Sequence, residues 1–254
     1  MADEVLTDFA DGVAVITINR PEARNAVTRT VSEAIAAAID EFEARTDLSV
    51  AILTGAGGTF CAGMDLKAFA QGELPSIPGR GFGGLTEAPP TKPILSAIEG
   101  WALAGGCELA LATDIIVASR TARFGLPEVK RGLVAAAGGL LRLPKVVPYP
   151  IALRVALTGD PMTAEEAYRF GLVTELTEDG EALKVARILA TRIAANGPLA
   201  VKATKQIVSG AVSWTDAEAI ARMRVISDPV FASIDAKEGA RAFAEKRQPV
   251  WRGA

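Results

Sequence analysis

The chain has 254 residues, half of them apolar, with 27 Lys and Arg residues against 30 Asp and Glu residues. This composition is typical of a mildly acidic globular protein of one large domain or two small ones, and it argues against a nucleic-acid partner. Histidine is absent. Imidazole bases, Ser-His-Asp and Cys-His nucleophiles and histidine metal ligands are therefore excluded, so acid–base chemistry must come from carboxylates, Lys or Tyr.

The cysteines, the N-terminus and the apolar runs bear on the cellular compartment of the protein. Cys61 and Cys107 are the only two cysteines, which excludes a disulfide framework and a four-cysteine zinc site and favours the cytoplasm. We expect no secretory signal, because the N-terminus is acidic where such signals are basic. We also expect no membrane span, because the longest apolar stretch, 101–118, contains Glu108 and Asp114.

The first half of the chain alternates predicted strands with predicted helices. The predicted strands cover 13–18, 50–54, 94–98 and 114–118. The predicted helices cover 31–42, with Thr28 as N-cap, 65–70 and 105–112. Between them lie a glycine-rich turn over 55–63 and a proline-rich loop over 72–93, which we expect to be mobile. This alternation predicts an α/β domain with right-handed crossovers.

The second half is predicted to be mainly helical. The predicted helices cover 151–157, 164–170, 181–195, 199–209, 215–226 and 231–246, and one strand is predicted over 172–175. We therefore predict an α/β spiral core over residues 1–195 and a helical region over 196–254. Amphipathic helices in such a region pack on their own domain or on a second subunit.

Two glycine patterns are rejected as nucleotide-binding motifs. Residues 79–84 match G-x-G-x-x-G letter for letter but lie in the proline-rich loop, whereas a dinucleotide fingerprint joins a strand to a helix. Residues 55–60 do follow a strand, but Phe60 stands at the third glycine position. The chain has no Walker motif, no G-x-S-x-G and no C-x-x-C.

Glu108 is the first candidate catalytic residue, since it lies within the apolar run 104–112. One explanation is a glutamate near a helix N-terminus, stabilised by the helix dipole. The other is a desolvated carboxyl group with a raised pKa, suited to proton transfer near pH 7. The pattern leaves both open. Gly105 and Gly106, at the predicted helix start, also offer backbone N–H groups for a developing oxyanion.

Two further candidates come from turns. Glu128 follows Pro127, and a surface ion pair with Lys130 or Arg131 would explain it equally well. Met64 lies in a turn of small residues between a predicted strand and a short helix, where its N–H group would be free to bind an anion.

These motifs together resemble the crotonase superfamily, the enoyl-coenzyme A (CoA) hydratases and isomerases, along nearly the whole chain. The matching segments are 19–26, 60–66, 92–94, 104–110, 124–128, 138–144, 157–159, 164–167, 171–173 and 242–247. The resemblance implies a crotonase-like ββα spiral core with a helical C-terminal trimerisation region. It implies an acyl-CoA substrate, no metal, no separate cofactor and assembly into a homotrimer or homohexamer.

The resemblance also implies residue roles. The N–H groups of Met64 and Gly105 would form an oxyanion hole for a thioester carbonyl, and Glu108 and Glu128 would be the two glutamates of the hydratases. Members that only isomerise a double bond commonly keep one carboxylate, at the Glu128 position, so the pair favours hydration or dehydration. From the chemistry of hydration we hypothesise that Glu108 orients and deprotonates the water and Glu128 delivers the α-proton, the two carboxyl groups titrating as a coupled pair. The implied CoA-binding residues are Arg24, Ala62, Asp65, Leu66 and Lys67.

The substrate is less defined than the superfamily. Ala104 replaces a common third glycine, and Leu140 and Leu141 stand where many hydratases have Thr-Gln. Residues 81–87 and 245–251 look like carnitinyl-CoA dehydratases, which is the alternative activity. Another enolate reaction on the same fold, or a non-catalytic acyl-CoA binding protein, are the remaining hypotheses.

Overall fold

The computed structural model describes residues 3–254 and is an α/β protein, as predicted. Its strands are β1 (Val5–Ala10), β2 (Val13–Ile18), β3 (Val50–Gly55), β4 (Ser76–Ile77), β5 (Gly81–Phe82), β6 (Ile94–Ile98), β7 (Trp101–Leu103), β8 (Ile115–Ser119), β9 (Arg123–Gly125), β10 (Met162–Thr163) and β11 (Glu175–Thr177). Its α-helices are α1 (Arg29–Ala44), α2 (Leu66–Ala70), α3 (Gly105–Leu111), α4 (Gly139–Val146), α5 (Tyr149–Thr158), α6 (Ala164–Arg169), α7 (Ala182–Ala194), α8 (Pro198–Ala211), α9 (Asp216–Phe231) and α10 (Ile234–Glu245). Two short 3₁₀ helices cover Pro21–Ala23 and Pro127–Arg131.

The main sheet has six strands in the order β1-β2-β3-β6-β8-β11. All neighbours are parallel except the antiparallel pair β1 and β2. A second sheet has the order β10-β9-β7. Because β6 leads directly into β7 and β8 into β9, the chain adds a strand to one sheet and then a strand to the other. This alternation forms the predicted spiral core.

Both faces of the main sheet are buried. On β2, Ile16 and Ile18 belong to the larger core cluster with α1, whereas Val13 and Val15 face α7. Helix α7 presents alanines to the sheet at every fourth position, Ala182, Ala186 and Ala190, all fully buried. Small side chains at this spacing let a helix lie close against a sheet. The two core layers hold the sheet in place, and α3 lies between strands β7 and β8 in the chain.

Several predicted elements lie where the sequence placed them. Thr28 caps α1, its side chain accepting a hydrogen bond from the N–H of Val31. The segment 72–93, expected to be a mobile loop, is partly ordered into regular structure. It contains the hairpin β4–β5, and its residues 81–86 are buried. Helix α4 was not predicted. The domain boundary at residue 195 coincides with the end of α7 and stays a prediction. No helix among residues 3–254 is both long and apolar enough to cross a membrane.

Candidate active site

Helix α3 begins at a turn that presses it against the segment before α2. Ala104, its N-cap, has φ +51° and ψ −129°, a conformation that non-glycine residues rarely adopt. A Cβ on Gly106 would overlap the carbonyl oxygen of Cys61, so only glycine fits there. This close approach brings the first turn of α3, and Glu108 within it, beside the turn at residues 61–64.

Glu108 is buried, with 3% of its surface exposed. Its Oε1 atom accepts hydrogen bonds from the N–H groups of Ala137, at 2.7 Å, and Gly139, at 2.9 Å. A Cβ on Gly139 would lie 2.8 Å from Cγ of Glu108, so a side chain at that position would displace the carboxylate. Glu108 lies in the first turn of α3, as the helix-dipole explanation expects, and burial raises the pKa of its carboxyl group, as the functional explanation expects.

Glu128 projects from the 3₁₀ helix Pro127–Arg131. Its Oε2 atom is buried and has no hydrogen-bond partner within the described residues. The alternative of an ion pair with Lys130 or Arg131 is wrong, because neither cation pairs with Glu128 in the described chain, and Lys130 pairs with Asp160 at 2.6 Å. A buried polar atom without a partner is uncommon and destabilising in a folded protein. A substrate or water in the cleft would supply the missing partner.

The two carboxyl groups differ in what sets their pKa. Desolvation raises the pKa of Glu108, while hydrogen bonds from Gly139 and Ala137 and the positive charge of Arg142 act in the opposite direction. Desolvation also raises the pKa of Glu128, and the nearby charge of Glu108 raises it further. Two interacting carboxyl groups titrate as a pair. Both pKa values are thus raised, and Glu108 differs in having two hydrogen bonds from the backbone of other residues that oppose the shift.

Two backbone N–H groups face the same region. Val27 bonds with residues on both sides of Met64, donating to Gly63 at 2.8 Å and accepting from Asp65 at 3.0 Å. The Met64 N–H therefore points away from Val27, and it donates no hydrogen bond within residues 3–254. The N–H of Gly105, the first residue of α3, is likewise unbonded in the described chain. A Cβ on Gly63 would lie 3.2 Å from the Gly105 nitrogen, so the two segments are in contact.

These groups share one cleft with a volume of about 390 Å³. Among the residues singled out from the sequence, those that line it are Arg24, Ala62, Met64, Leu66, Gly105, Glu108 and Glu128. The structure thus brings seven of the nine candidates to one cavity. Asp65 and Lys67 do not line it.

The Asp65 carboxylate is occupied by structural contacts. It caps α2, accepting from the N–H groups of Lys67 and Ala68, and it forms an ion pair with Arg20 at 3.1 Å. These contacts lower the pKa of Asp65 against the effect of its burial. Lys67 is exposed. Their contact with CoA stays a prediction.

Sequence analysis missed several apolar residues of the cleft. Phe82 lies over the start of α3, where a Cβ on Gly105 would overlap its ring. Leu133 and Val134 line the cleft from the irregular segment before α4. A sequence signal existed for the last two, because adjacent large apolar residues are unusual in a segment otherwise composed of small ones. No group of three or more metal-ligating side chains occurs within residues 3–254.

A buried and a half-buried carboxyl group in one cleft with two unbonded N–H groups are an arrangement suited to proton transfer next to an oxyanion. The comparisons with known proteins agree with this chemistry. The enoyl-CoA hydratase/isomerase family matches residues 8–254, and this chain belongs to that family.

Three relatives illustrate the range of the family. A solved enoyl-CoA hydratase from Mycobacterium tuberculosis H37Rv is 57% identical and superposes with a TM-score of 0.97, covering 99% of this chain and 100% of that one. Enoyl-CoA hydratase EchA19 from the same species is 42% identical over 97% of this chain and 95% of its own length. The carnitinyl-CoA dehydratase of Salmonella heidelberg is 44% identical over 94% of both chains.

Proposed function

We propose that this protein is an enoyl-CoA hydratase, which reversibly adds water across the double bond of a trans-2-enoyl-CoA thioester. The observation that carries the proposal is the unlike surroundings of two carboxyl groups in one cleft. Glu108 accepts two backbone hydrogen bonds, whereas Oε2 of Glu128 accepts none in the described chain. One group is thereby suited to be a base and the other an acid. Family membership supports the same activity.

The proposed reaction begins with the thioester oxygen in the oxyanion hole of Met64 and Gly105. Glu108 removes a proton from water as the water oxygen bonds to the β-carbon, and the π electrons move toward the thioester oxygen as an enolate. The two N–H groups stabilise this negative charge. The α-carbon then takes a proton from Glu128, and the enolate returns to a thioester. The reverse sequence removes water, and no metal or separate cofactor takes part.

The CoA portion is proposed to occupy the side of the cleft lined by Arg24, Ala62 and Leu66. Arg24 is exposed and cationic, so it is suited to a phosphate group of the nucleotide. Leu66 is 48% exposed and offers an apolar surface. We place Asp65 and Lys67 near the CoA as well, through backbone rather than side-chain contacts.

Two acyl classes are proposed, in order of preference. Leu133, Val134 and Phe82 give the acyl side of the cleft an apolar surface, which favours a hydrocarbon chain. The alternative is a carnitinyl group, and the specific observation in its favour is that Glu87 lines the same cleft as the Phe82 ring. A carboxylate and an aromatic face are the groups that bind a quaternary ammonium ion.

The decisive experiment presents crotonyl, longer straight-chain, branched and crotonobetainyl thioesters to the purified protein, following loss of the enoyl absorbance and product mass. We expect hydration, with kcat/KM greatest for an uncharged chain. Glu108→Gln and Glu128→Gln should each reduce kcat by about 10²–10⁴-fold, and the double variant should lose little more, because the groups act in one step. Glu22→Gln, at an exposed position, is the control.

Each other outcome identifies a different function. Preference for crotonobetainyl-CoA would establish the carnitinyl alternative, and a product of unchanged mass would indicate isomerisation. If no thioester reacts while the protein and both variants bind acyl-CoA equally well, the hydratase proposal fails and a non-catalytic acyl-CoA binding protein replaces it.

We further propose a homotrimer or homohexamer working in the cytoplasm. Helix α9 has no buried residue, although it carries large apolar side chains, and Val225 and Phe231 are 77% and 78% exposed. On α10, Phe243 is 88% exposed. Apolar patches of this kind mark subunit contacts. The two free cysteines, both buried, suit a reducing compartment.

A further inference from the structure

A guanidinium group that does not line the cleft lies near enough to the Glu108 carboxylate for its charge to act on it. Arg142, on the second turn of α4, donates from Nη2 to the carbonyl oxygen of Thr86 at 2.5 Å and from Nη1 to that of Ala137 at 3.3 Å. Ala137 is also one of the two residues whose N–H groups hold Glu108. Ala137 therefore bonds through its N–H group to Glu108 and through its carbonyl oxygen to Arg142.

The backbone is shaped to admit this guanidinium. Gly138, between the two residues that donate to Glu108, has φ +100°. A Cβ on Gly138 would overlap Nη1 of Arg142, so the guanidinium occupies the space that a side chain would fill. Glycine at this position meets both the backbone and the packing requirement.

The positive charge of Arg142 is partly buried and acts at a distance. Its hydrogen bonds within the described chain go to carbonyl oxygens, and it forms no direct ion pair with Glu108. Burial lowers the pKa of Arg142, and the opposing influence that raises it is the charge of Glu108. A guanidinium stays protonated even so. In a partly buried setting, a charge influences a carboxylate beyond contact distance.

We propose that Arg142 is a positioning residue for the hydration reaction, fixing the Ala137 segment that orients Glu108 and placing a positive charge near that carboxylate. This inference rests on the proposed function for its kinetic part. Arg142 also joins the segment carrying Thr86, which follows β5 and Phe82, to the Ala137 segment that holds Glu108. The acyl side of the cleft and the base are thus held by the same side chain.

Other charged groups around Glu108 set the background for a pH measurement. Cys107 on the same helix is neutral, because burial raises the pKa of its thiol well above the usual range. The 3₁₀ helix contributes Glu128 and Arg131, and the walls of the cleft contribute Glu87 and Arg24. None of these groups is substituted in an Arg142 variant. A shift of the pKa in the pH profile therefore reports on the loss of Arg142.

The test compares Arg142→Met, which removes the charge and the hydrogen bonds, with Arg142→Lys, which keeps the charge. Lys145→Met removes an exposed cation from the same helix and is the matched control. We expect Arg142→Met to lower kcat by about 10–100-fold with little change in KM, because the base is misplaced rather than the substrate lost. The acid limb of its kcat/KM profile should move to higher pH by roughly half a unit or more.

The two variants separate positioning from general structure. Arg142→Lys should keep the acid limb near that of the wild type while lowering kcat, and Lys145→Met should change neither. A variant Arg142→Met with wild-type kcat, or with lowered kcat but an unmoved acid limb, would overturn the proposal.

A second readout does not depend on turnover. The ¹³C chemical shift of the Glu108 carboxyl carbon, assigned by its loss in Glu108→Gln, can be titrated in the wild type and in each Arg142 variant. We expect a higher pKa in Arg142→Met and an unchanged one in Arg142→Lys. Equal values in wild type and Arg142→Met would overturn the proposal. A wild type that hydrates no thioester would contradict the proposed function instead. The titration would still decide whether Arg142 affects the Glu108 carboxyl group.

Discussion

Glu108 and Glu128 line the same cleft but differ in hydrogen bonding: Oε1 of Glu108 accepts two backbone N–H groups, and Oε2 of Glu128 is buried without a partner in the described chain. Unlike surroundings give chemically identical side chains different proton affinities, and this is how one site provides an acid and a base. The structural cost of the arrangement falls on Glu128, because desolvation penalises its ionised form and its Oε2 atom has no hydrogen-bond partner in the described chain.

That cost predicts a stability difference that depends on pH. The pKa of Glu128 is raised, first by desolvation and then by Glu108, so its proton is bound more tightly in the folded state. Such a group contributes stability below the unfolded pKa, near 4.3, and the contribution is lost as the pH rises through the folded pKa. We expect Glu128→Gln to melt roughly 2–4 °C above the wild type at about pH 8, with the difference shrinking toward about pH 4.

Thermal unfolding across this pH range is the measurement, and Glu175→Gln, at an exposed strand position, is the control that should show no such trend. A Glu128→Gln protein less stable than the wild type at every pH would contradict the interpretation. Gain of stability with loss of turnover is the pattern expected when a functional group is held in an unfavourable environment.

The proposed oxyanion hole predicts that loss of the Gly105 N–H group lowers kcat. Gly105→Pro deletes the N–H, but any Cβ there also meets the Phe82 ring. Gly105→Ala introduces the same overlap and keeps the N–H, so the ratio of the two variants isolates the donor. Both are best made together with Phe82→Ala, which provides space. We expect the proline variant to have a kcat about 10²–10³-fold below that of the alanine variant. Equal kcat values in folded proteins would reject Gly105 as a donor.

The exposed apolar surface predicts assembly. Light scattering at micromolar concentration should give the mass of a trimer or hexamer, because monomeric proteins rarely leave apolar patches such as that of Val225 and Phe231 uncovered. Phe231→Asp should reduce that mass, since a charge cannot be buried in an apolar contact without a partner. Thr46→Asp, at an exposed turn, should leave it unchanged. A wild type that is monomeric would remove the proposed assembly.

The sequence was most informative where local pattern determines structure. The bounds of β2 and β6 match the predicted strands at 13–18 and 94–98, because buried parallel strands are continuous apolar runs. Strands β7, β9 and β10 were missed. They have two or three residues each and form through pairing between distant segments, such as Phe124 with Met162. Helix α4 was obscured by its initial glycine and by Pro144.

The residues of the candidate site also divide into those that a local sequence pattern marks and those that it does not. Glu108 was recognised because a carboxylate within an apolar helical run is conspicuous. Its partners were not, because Ala137 and Gly139 lie 29 and 31 residues further along the chain and contribute only backbone atoms. Backbone donors leave no residue-type signal. Arg142 was hidden for a similar reason, since its contacts are carbonyl oxygens.

The position of Leu133 and Val134 has an evolutionary consequence. They line the acyl side of the cleft from irregular backbone between Glu128 and Gly139, and Val134 is 68% exposed. Their side chains can vary in size without disturbing a strand, a helix or a proton-transfer group. Under the proposed function, acyl preference can therefore change among descendants of one ancestor without any change at Glu108 or Glu128, and libraries limited to these two positions would sample new substrates at low risk to folding.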